Sequence, residues 1–281
     1  GVTSLVIGLT VVAFGTGSPE LVLGVKAASA GNSGIALGNV IGSNISNIAL
    51  VLGVAAVIHP MKVRSQLVRR EVPLMIAVTL MFSAMLLDGQ VSRIEGIALV
   101  MGAIGYTMLS YRAARGGEHP AVEAEYDDAL AVPRRVVWAD AALVVAGLGG
   151  LILGANLLLE GAVSVASALG IPQVVVGLTV IAIGTSLPEL ATSVTSAVRG
   201  EADVAFGNVI GSNVLNILAV IGVVAVIRPF EVQGLRPLDL IVFIGSATLV
   251  LPLMWRGWIL NRWEGAALLT GYALYIWSLT R

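Results

Sequence analysis

The chain contains the run Gly-Asn-Val-Ile-Gly-Ser-Asn twice, at residues 38–44 and again at residues 207–213. The identity extends outward from this run in both directions. Residues 8–54 align with residues 177–223 at a constant offset of 169 without a gap, and 26 of these 47 pairs are identical. Chance does not produce such agreement. The chain therefore contains an internal duplication, and an internal repeat fixes the architecture of a protein.

The composition is that of a membrane protein. Of the 281 residues, 57% are hydrophobic and only 12% are charged, against about 25% charged residues in typical soluble domains. The formal net charge of -1 gives no basic footprint for nucleic acid binding. The chain has no cysteine and only two histidines, which excludes thiolate chemistry and a multi-histidine metal centre.

Apolar stretches of membrane-spanning length divide the chain. A helix that crosses a bilayer needs about 20 predominantly apolar residues. Nine such stretches are predicted, approximately at residues 2–29, 35–58, 72–87, 94–111, 139–159, 171–198, 204–227, 238–254 and 264–279. We therefore predict an all-α, polytopic membrane protein with nine transmembrane helices in this sequence.

The repeat predicts one further helix in the complete protein. The second copy is preceded by an apolar helix from Asp140 to about Leu159, whereas the same offset places Gly1 after the end of such a helix. We expect ten helices, five in each half, with the first one missing here; an asymmetric nine-helix protein is the alternative. The first half then covers residues 1–111 with four helices, a linker covers residues 112–137, and the second half covers residues 138–281 with five helices.

The two copies are predicted to cross the membrane in opposite directions, because the second begins five spans after the first. Inverted-topology repeats are typical of secondary transporters, with the substrate site near the midplane between the halves. One side of the predicted membrane collects 11 Lys and Arg residues, including those of the linker, and the other side collects 5. Because positive loops stay in the cytoplasm, we predict a cell-membrane protein with a cytoplasmic linker and an outside C-terminus.

Each copy carries a proline and a glutamate in the middle of an apolar span, at Pro19-Glu20 and at Pro188-Glu189. Proline removes a backbone donor and opens the helix, and broken backbone at membrane depth persists only where it lines a polar cavity or is buried in protein. Carbonyls, hydroxyls and a carboxylate then supply the oxygen ligands that Ca2+ and Na+ require.

Glu20 and Glu189 are the only ionisable side chains near the centre of a predicted span. Other charges near the spans, such as Asp239, fall at predicted helix ends, where headgroups and water are close. An intramembrane carboxylate marks an ion or proton path. The alternative is a protonated glutamic acid that forms a hydrogen bond between helices.

The second motif places small and polar residues on single helical faces. Its glycines are spaced four apart in each copy and permit close helix approach; they are Gly38, Gly42, Gly207 and Gly211. A hydroxyl and an amide also lie one turn apart, and for these residues we favour ion ligation: Ser43, Asn47, Ser212 and Asn216. Interhelical hydrogen bonding is the alternative for the remaining asparagines, Asn39, Asn44, Asn208 and Asn213.

These motifs resemble the two alpha-repeats of the cation/Ca2+ exchanger superfamily, specifically of prokaryotic sodium/calcium exchangers. The repeats of that family carry G-T-S-x-P-E and G-N-x-I-G-S-N, and the likeness extends through the intervening helices. The resemblance implies a ten-helix antiporter with four central ion sites. It implies transport and no enzyme activity. Ca2+ and Na+ are the transported ions, and no cofactor is implied. The protein lies in the lipid bilayer, and no protein partner is evident.

Carried over by position, the resemblance implies a Ca2+ site formed by Glu20 and Glu189 with backbone oxygens of Thr16 and Thr185. An outer sodium site would use Glu20, Ser43, Ser186 and the carbonyl of Ala182, and an inner one would use Glu189, Ser212, Gly17 and the carbonyl of Ala13. Asn47 and Asn216 would face the middle. Two positions depart from the family pattern, because Gly17 stands where serine is usual and Asn216 where aspartate is frequent.

The sequence predicts exchange of Na+ for Ca2+ by alternating access. Two carboxylates give an empty cavity a charge near -2. One Ca2+ or several Na+ neutralise this charge, and the two kinds of ion compete for the same glutamates. A proton-coupled Ca2+ exchanger, with the same glutamates as proton carriers, is the alternative. An ion channel would need a pore-lining ring of repeated loops, and an enzyme would need a nucleophile, a base and an orienting group together; the sequence offers neither.

Overall fold

The computed structural model describes residues 13–115, 146, 150, 153–154, 157–165, 168–255 and 257–279. Helices dominate these residues, and four strands of two residues each connect them. The predicted linker, apart from its first four residues, and much of the predicted span at 139–159 lie outside the described residues. The all-α membrane class predicted from the sequence is confirmed.

The first half consists of ten described elements. They are α1 (Ala13–Thr16), α2 (Ser18–Ser29), α3 (Ser33–Ser46), a π-helical segment (Asn47–Leu52), α4 (Gly53–Ile58), β1 (Met61–Lys62), α5 (Ser65–Met85), a 3-10 turn (Leu86–Asp88), β2 (Gln90–Val91) and α6 (Arg93–Arg115).

The described elements of the second half begin at residue 173, and from α8 onward they repeat this order without the 3-10 turn. Its elements are α7 (Gln173–Val176), a π-helical segment (Gly177–Ile181), α8 (Ala182–Thr185), α9 (Leu187–Val198), α10 (Ala202–Leu215), a π-helical segment (Asn216–Ile221), α11 (Gly222–Ile227), β3 (Phe230–Glu231), α12 (Pro237–Met254), β4 (Ile259–Leu260) and α13 (Arg262–Leu279).

Four helical stretches among the described residues are long and apolar enough to cross a membrane by themselves. They are Ser33–Ile58, Leu67–Asp88, Ala202–Ile227 and Pro237–Met254. The pair Gln173–Thr185 and Leu187–Val198 makes a fifth if it counts as one broken span, bent by 44°. The predicted total of nine spans stays a prediction.

Both copies of the repeat break at the same place. A single turn residue, Gly17 or Ser186, separates two helices, and the proline follows within the first turn of the second helix. Proline is tolerated there because the first turn of a helix needs no backbone donor. The break therefore starts a new helix immediately before each glutamate instead of merely bending the old one.

Two charged residues lie deeper than the sequence suggested. Helix α5 begins at Ser65 and not near residue 72, so Glu71 lies within it and is 6% exposed. Asp239 lies at a helix start as predicted, but away from water, since its side chain is fully buried. Arg236 Nη2 lies 2.8 Å from Asp239 Oδ1, and the Tyr275 hydroxyl donates to the same oxygen at 3.2 Å. These partners replace water around the carboxylate.

The two halves pack around a central pair of helices. Residues 35–46 of α3 and residues 204–215 of α10 are buried on every side, as expected for helices that other helices surround. Large apolar side chains cover the outside, and Leu87, Ile94 and Trp263 are at least 80% exposed. A surface of this kind suits lipid better than water.

Short strands join connectors of the two halves. Strand β1 pairs with β4, with Met61 opposite Leu260, and β2 pairs with β3, with Val91 opposite Phe230. Each antiparallel pair therefore ties one connector of the first half to one connector of the second half.

The predicted close approach of glycines is confirmed for α3. A Cβ atom on Gly38 would overlap the carbonyl oxygen of Val174, and one on Gly42 would lie 2.7 Å from the Cα of Leu178. The backbones of α3 and of the segment 174–178 thus touch directly.

We expect Gly38→Ala to lower the melting temperature, because the added methyl group must displace backbone. Overpacking of this kind costs about 1–3 kcal/mol. Gly245→Ala is the control, since a Cβ there, within α12, has nothing within 4 Å and replacing glycine by alanine in a helix gains up to about 1 kcal/mol. Thermal unfolding of both variants in detergent, followed by tryptophan fluorescence, measures the difference. Equal melting temperatures would contradict the close approach.

Candidate ion-binding site

Buried polar side chains converge between the two copies of the repeat. Twelve of them are at most 3% exposed: Glu20, Asn39, Ser43, Asn44, Asn47, Thr185, Ser186, Glu189, Asn208, Ser212, Asn213 and Asn216. Thr16 is partly buried beside them. All of these residues come from the two motifs that the sequence singles out.

The helix breaks place both glutamates at helix N-termini. Glu20 is the third residue of α2, and Glu189 is the third residue of α9. Unpaired backbone N–H groups and the helix dipole make this end of a helix electropositive. Each carboxylate is therefore held in the apolar interior at a position that favours negative charge.

The carboxylates lack hydrogen-bond partners. Neither oxygen of Glu20 or of Glu189 forms a hydrogen bond to any residue that the structure describes. The hydroxyls of Ser186 and Ser212 and the side-chain oxygen of Asn47 are buried and unpaired in the same sense. Buried polar groups are nearly always satisfied, and an unpaired buried charge costs several kcal/mol. This set of oxygens is suited to surround a cation.

The ligand groups cross between the repeats. Glu20 of the first copy lies beside the Thr185 hydroxyl of the second, and Glu189 lies beside the Thr16 hydroxyl of the first and beside Ser212. Two negative charges in this apolar interior would repel each other. A cation between them would remove this repulsion.

Asparagines hold the threonines in place. The Thr16 hydroxyl donates to the Asn208 side-chain oxygen at 3.1 Å, and the Thr185 hydroxyl donates to that of Asn39, also at 3.1 Å. These two hydrogen bonds are related by the offset of the repeat. On the Glu20 side, the Ser43 hydroxyl lies 3.3 Å from the Thr185 hydroxyl.

Four further amides link α3 to α10. Asn44 donates to the carbonyl of Asn213 at 3.1 Å, and Asn213 donates to the carbonyl of Asn44 at 3.2 Å. Asn47 donates to the Asn213 side chain at 3.0 Å, and Asn216 donates to the Asn44 side chain at 3.2 Å. Asn39, Asn44, Asn208 and Asn213 thus form interhelical hydrogen bonds, the alternative to ligation for these four residues.

The carbonyls of Ala13 and Ala182 remain within the helical ladder. They accept hydrogen bonds from the N–H groups of Gly17 at 3.0 Å and of Ser186 at 3.1 Å. A carbonyl oxygen has a second lone pair that can still face an ion. Pro19 and Pro188 have no backbone N–H. The carbonyls four residues before them, at Gly15 and Gly184, therefore lack the usual helical donor.

Ser193 positions Asn208 but lies in neither of the two motifs. Its hydroxyl accepts a hydrogen bond from the Asn208 amide at 3.1 Å. The equivalent position in the first copy is Gly24, and the Asn39 amide nitrogen has no partner among the described residues. A Cβ on Gly24 would lie 2.9 Å from the Val220 side chain, so a serine there would require the valine to shift. Comparison of the two copies, in which a serine replaces a glycine, was the available signal.

The donor set favours hard cations. In the described part of the chain, no group of three or more His, Cys, Asp or Glu side chains comes together. Two carboxylates completed by neutral oxygens suit Na+ or Ca2+, whereas transition metals favour imidazole and thiolate.

Comparisons with known proteins agree on one family. A model of the family described as sodium/calcium exchanger protein matches residues 1–112 and 140–281. The putative antiporter CaxA of Alkalimonas amylolytica is 39% identical over 286 residues, which cover 99% of this chain and 88% of the relative. The sodium/calcium exchanger MaX1 of Methanosarcina acetivorans is 31% identical, with 98% and 89% covered. A solved structure of the sodium-calcium exchanger NCX_Mj, soaked with Na+ and Sr2+, matches with a TM-score of 0.74 and 31% identity, covering 99% of this chain and 88% of that one.

We expect Asn44→Ala and Asn213→Ala to lower stability by about 1–3 kcal/mol each, because each leaves buried amide or carbonyl groups unpaired. The double variant is expected to lose less than the sum, since the two residues bond each other. Melting temperatures of the wild type, both single variants and the double variant in detergent provide the comparison. Strictly additive losses would show that the amides act independently.

Proposed function

The chain belongs to the sodium/calcium exchanger protein family, and we propose that it exchanges Na+ for Ca2+ across a membrane by alternating access. Family membership makes it a multi-pass membrane transporter of the cation/Ca2+ antiporter type. The relatives named as sodium/calcium exchangers support Ca2+ and Na+ as the transported ions.

The pair of unpaired buried carboxylates is the observation that carries this proposal. Glu20 and Glu189 are fully buried, repel each other and lack hydrogen-bond partners in the described residues. A single Ca2+ neutralises both. Sodium ions neutralise the same two groups, so Na+ and Ca2+ compete for them. A site that is fully occupied by Na+ therefore cannot bind Ca2+ at the same time. Competition of this kind is what antiport requires.

We assign the ion ligands as follows. Ca2+ binds between Glu20 and Glu189, with backbone oxygens of Thr16 and Thr185. The first sodium site uses Glu20, Ser43, Ser186 and the Ala182 carbonyl, and the second uses Glu189, Ser212 and the Ala13 carbonyl. The unpaired hydroxyls of Ser186 and Ser212 support this assignment. Asn47 and Asn216 border the central space.

We further propose that the two copies are inverted in the membrane, as in a ten-helix exchanger. The reciprocal hydrogen bonds between Asn44 and Asn213 support a local two-fold axis between α3 and α10. The strand pairs β1–β4 and β2–β3 support the same topology, because each joins connectors assigned to one side of the membrane. The greater number of basic residues on one side supports a cytoplasmic connector at 112–137 and an outside C-terminus.

Proton-coupled Ca2+ exchange is the second candidate. A proton neutralises a carboxylate as a sodium ion does, and neither glutamate is committed to a hydrogen bond with a described residue. A matched pair of ion gradients separates the candidates. Radioactive Ca2+ uptake into proteoliposomes is measured with an outward Na+ gradient, with an outward proton gradient of equal size and with neither; uptake driven by protons alone would replace sodium with protons in the proposal.

We expect Glu20→Gln and Glu189→Gln each to reduce Na+-driven Ca2+ uptake to the level of protein-free vesicles, because a neutral amide leaves Ca2+ with a single compensating charge. Glu201→Gln serves as the matched control, since the Glu201 side chain is exposed. It is expected to transport like the wild type. Unchanged transport by either site variant would overturn the proposal.

Binding is measured separately from transport. At a Ca2+ concentration of 100 times the dissociation constant, the folded state gains about 2.7 kcal/mol. We therefore expect Ca2+ to raise the melting temperature of the wild type, and excess Na+ to reverse part of this rise. Neither ion is expected to shift the Glu189→Gln variant as strongly. A Ca2+ shift indifferent to Na+ would contradict competition at one site.

A further inference from the structure

A cavity lies between helices α5 and α6, apart from the ion-binding site. Its volume is about 350 Å³, and none of the residues of the ion-binding site lines it. Most of its wall is apolar and includes Leu74, Val78, Met81 and Leu109. Leu74, Met81 and Leu109 are also exposed at the surface. Because α5 contains the membrane-spanning stretch Leu67–Asp88, the cavity opens toward lipid.

One end of this cavity is polar. Four polar side chains line it: Arg70 and Glu71 near the start of α5, and Tyr106 and Ser110 near the end of α6. The Glu71 side chain is only 8% exposed. One of its carboxylate oxygens and the Tyr106 hydroxyl have no hydrogen-bond partner among the described residues. Buried polar groups are nearly always paired, so this end of the cavity lacks a ligand group.

Arg70 does not complete the pairing of Glu71. Its Nε atom lies 3.8 Å from the Glu71 Oε1 atom, which is beyond hydrogen-bond distance. The Arg70 side chain is 53% exposed and therefore reaches the surface. It is the only basic side chain along the cavity in the described part of the chain. A carboxylate inside and a guanidinium at the rim thus offer a negative and a positive group to one ligand.

The second half contains a counter-ion that the first half lacks. The offset of 169 persists beyond the repeat, since it relates β1 to β3 and β2 to β4. It places Tyr106 opposite Tyr275, whose hydroxyl donates to Asp239 at 3.2 Å. Arg236 pairs with the same carboxylate at 2.8 Å. The position equivalent to Arg236 is Leu67, so the first half carries the tyrosine and a carboxylate without this cation.

A cation from outside the chain can complete the first half. Glu71 stands one position after the residue equivalent to Asp239, and its longer side chain lies beside Tyr106. A primary ammonium group has three N–H donors, which suit a carboxylate oxygen and the hydroxyls of Tyr106 and Ser110. The apolar wall continues from this end, so a bare metal ion would leave most of the cavity unfilled. The ligand is therefore a cation that carries an apolar tail.

Phosphatidylethanolamine combines these features. Its ammonium group fits Glu71, and its phosphate fits the exposed Arg70, since arginine binds phosphate through charge-assisted hydrogen bonds. From Glu71 to Met85, which also lines the cavity, α5 rises about 21 Å. One leaflet contributes about 15 Å of hydrocarbon, so an acyl chain fits along this length. The phosphatidylcholine headgroup has no N–H donor, and the phosphatidylglycerol headgroup has no cation.

We propose that the cavity between α5 and α6 binds one phosphatidylethanolamine molecule, with its ammonium group at Glu71 and Tyr106, its phosphate at Arg70 and one acyl chain along the apolar wall. The lipid lies in the leaflet on the side of the linker, because Tyr106 and Ser110 lie near the end of α6 that leads into the linker. It supplies the counter-ion that Arg236 supplies in the second half. None of the proposed ion ligands takes part, so lipid binding does not depend on the transported ions.

Lipid-dependent stability tests this site. The purified protein is stripped of lipid in detergent, and its melting temperature is measured with added phosphatidylethanolamine, phosphatidylcholine or phosphatidylglycerol of identical acyl chains. Native mass spectrometry counts the bound lipids. We expect one tightly bound phosphatidylethanolamine and a larger rise in melting temperature than the other two lipids give. Soluble phosphoethanolamine, which has the headgroup without the chains, is expected to give no shift at the same concentration.

Two variants test the two ends of the bound lipid. Glu71→Gln removes the charge that faces the ammonium group and is expected to weaken phosphatidylethanolamine binding about tenfold or more. Gly105→Leu is expected to block the acyl chain, because Gly105 lines the cavity and a Cβ there has nothing within 4 Å. The matched controls are Glu201→Gln, at an exposed glutamate, and Gly245→Leu, at an equally open position in α12. Both controls are expected to bind the lipid like the wild type.

Each outcome bears on the proposal. A preference for phosphatidylethanolamine that is lost in both site variants and kept in both controls supports it. Equal binding of phosphatidylcholine or phosphatidylglycerol overturns recognition of the ammonium group. A shift with soluble phosphoethanolamine or with Na+ that is as large as the shift with the lipid overturns the role of the acyl chain. Unchanged phosphatidylethanolamine binding by Glu71→Gln or by Gly105→Leu places the lipid elsewhere and overturns the proposed site.

Discussion

Two carboxylates that find no hydrogen-bond partner among the described residues, buried inside an apolar bundle, are the constraint on which the rest of the structure depends. Glu20 and Glu189 are tolerable there because each lies in the first turn of a helix, where unpaired backbone N–H groups and the helix dipole favour negative charge. Each also lies beside a threonine hydroxyl of the opposite copy. The helix N-termini lessen the cost of the charges but do not remove it, and in the proposed function a cation relieves the rest.

Close backbone contact and amide hydrogen bonds hold this arrangement together. The glycine face of α3 brings the backbone near residue 178 within contact distance, so Ser43 can lie 3.3 Å from Thr185. The reciprocal pair Asn44 and Asn213 fixes α3 against α10. Small residues set the distance between helices and amides set their register. Among the described residues, the two carboxylates and the hydroxyls of Ser186 and Ser212 remain without hydrogen-bond partners.

Much of this was predictable from the sequence because duplication makes the motifs visible twice. The breaks before Glu20 and Glu189 and the close approach at Gly38 follow from local residue types. Pairings across the fold do not: Asn208 and Thr16 are 192 residues apart, and nothing local to either one names the other. The burial of Asp239 also depends on a distant partner, the Tyr275 hydroxyl. Helix α5 starts before the apolar stretch, and the residue that precedes it, Arg64, forms an ion pair with the distant Asp203 at 2.8 Å.

The pair of positions formed by Gly24 and Ser193 has a consequence for how such a protein evolves. A gene duplicated within itself begins with two interchangeable halves, and every early mutation breaks that equivalence in one half only. Here a side chain at position 24 would have to displace the Val220 side chain, whereas position 193 carries a hydroxyl that accepts a hydrogen bond from Asn208. Natural selection can therefore adjust the support of one half of the site by a single substitution without altering the other half.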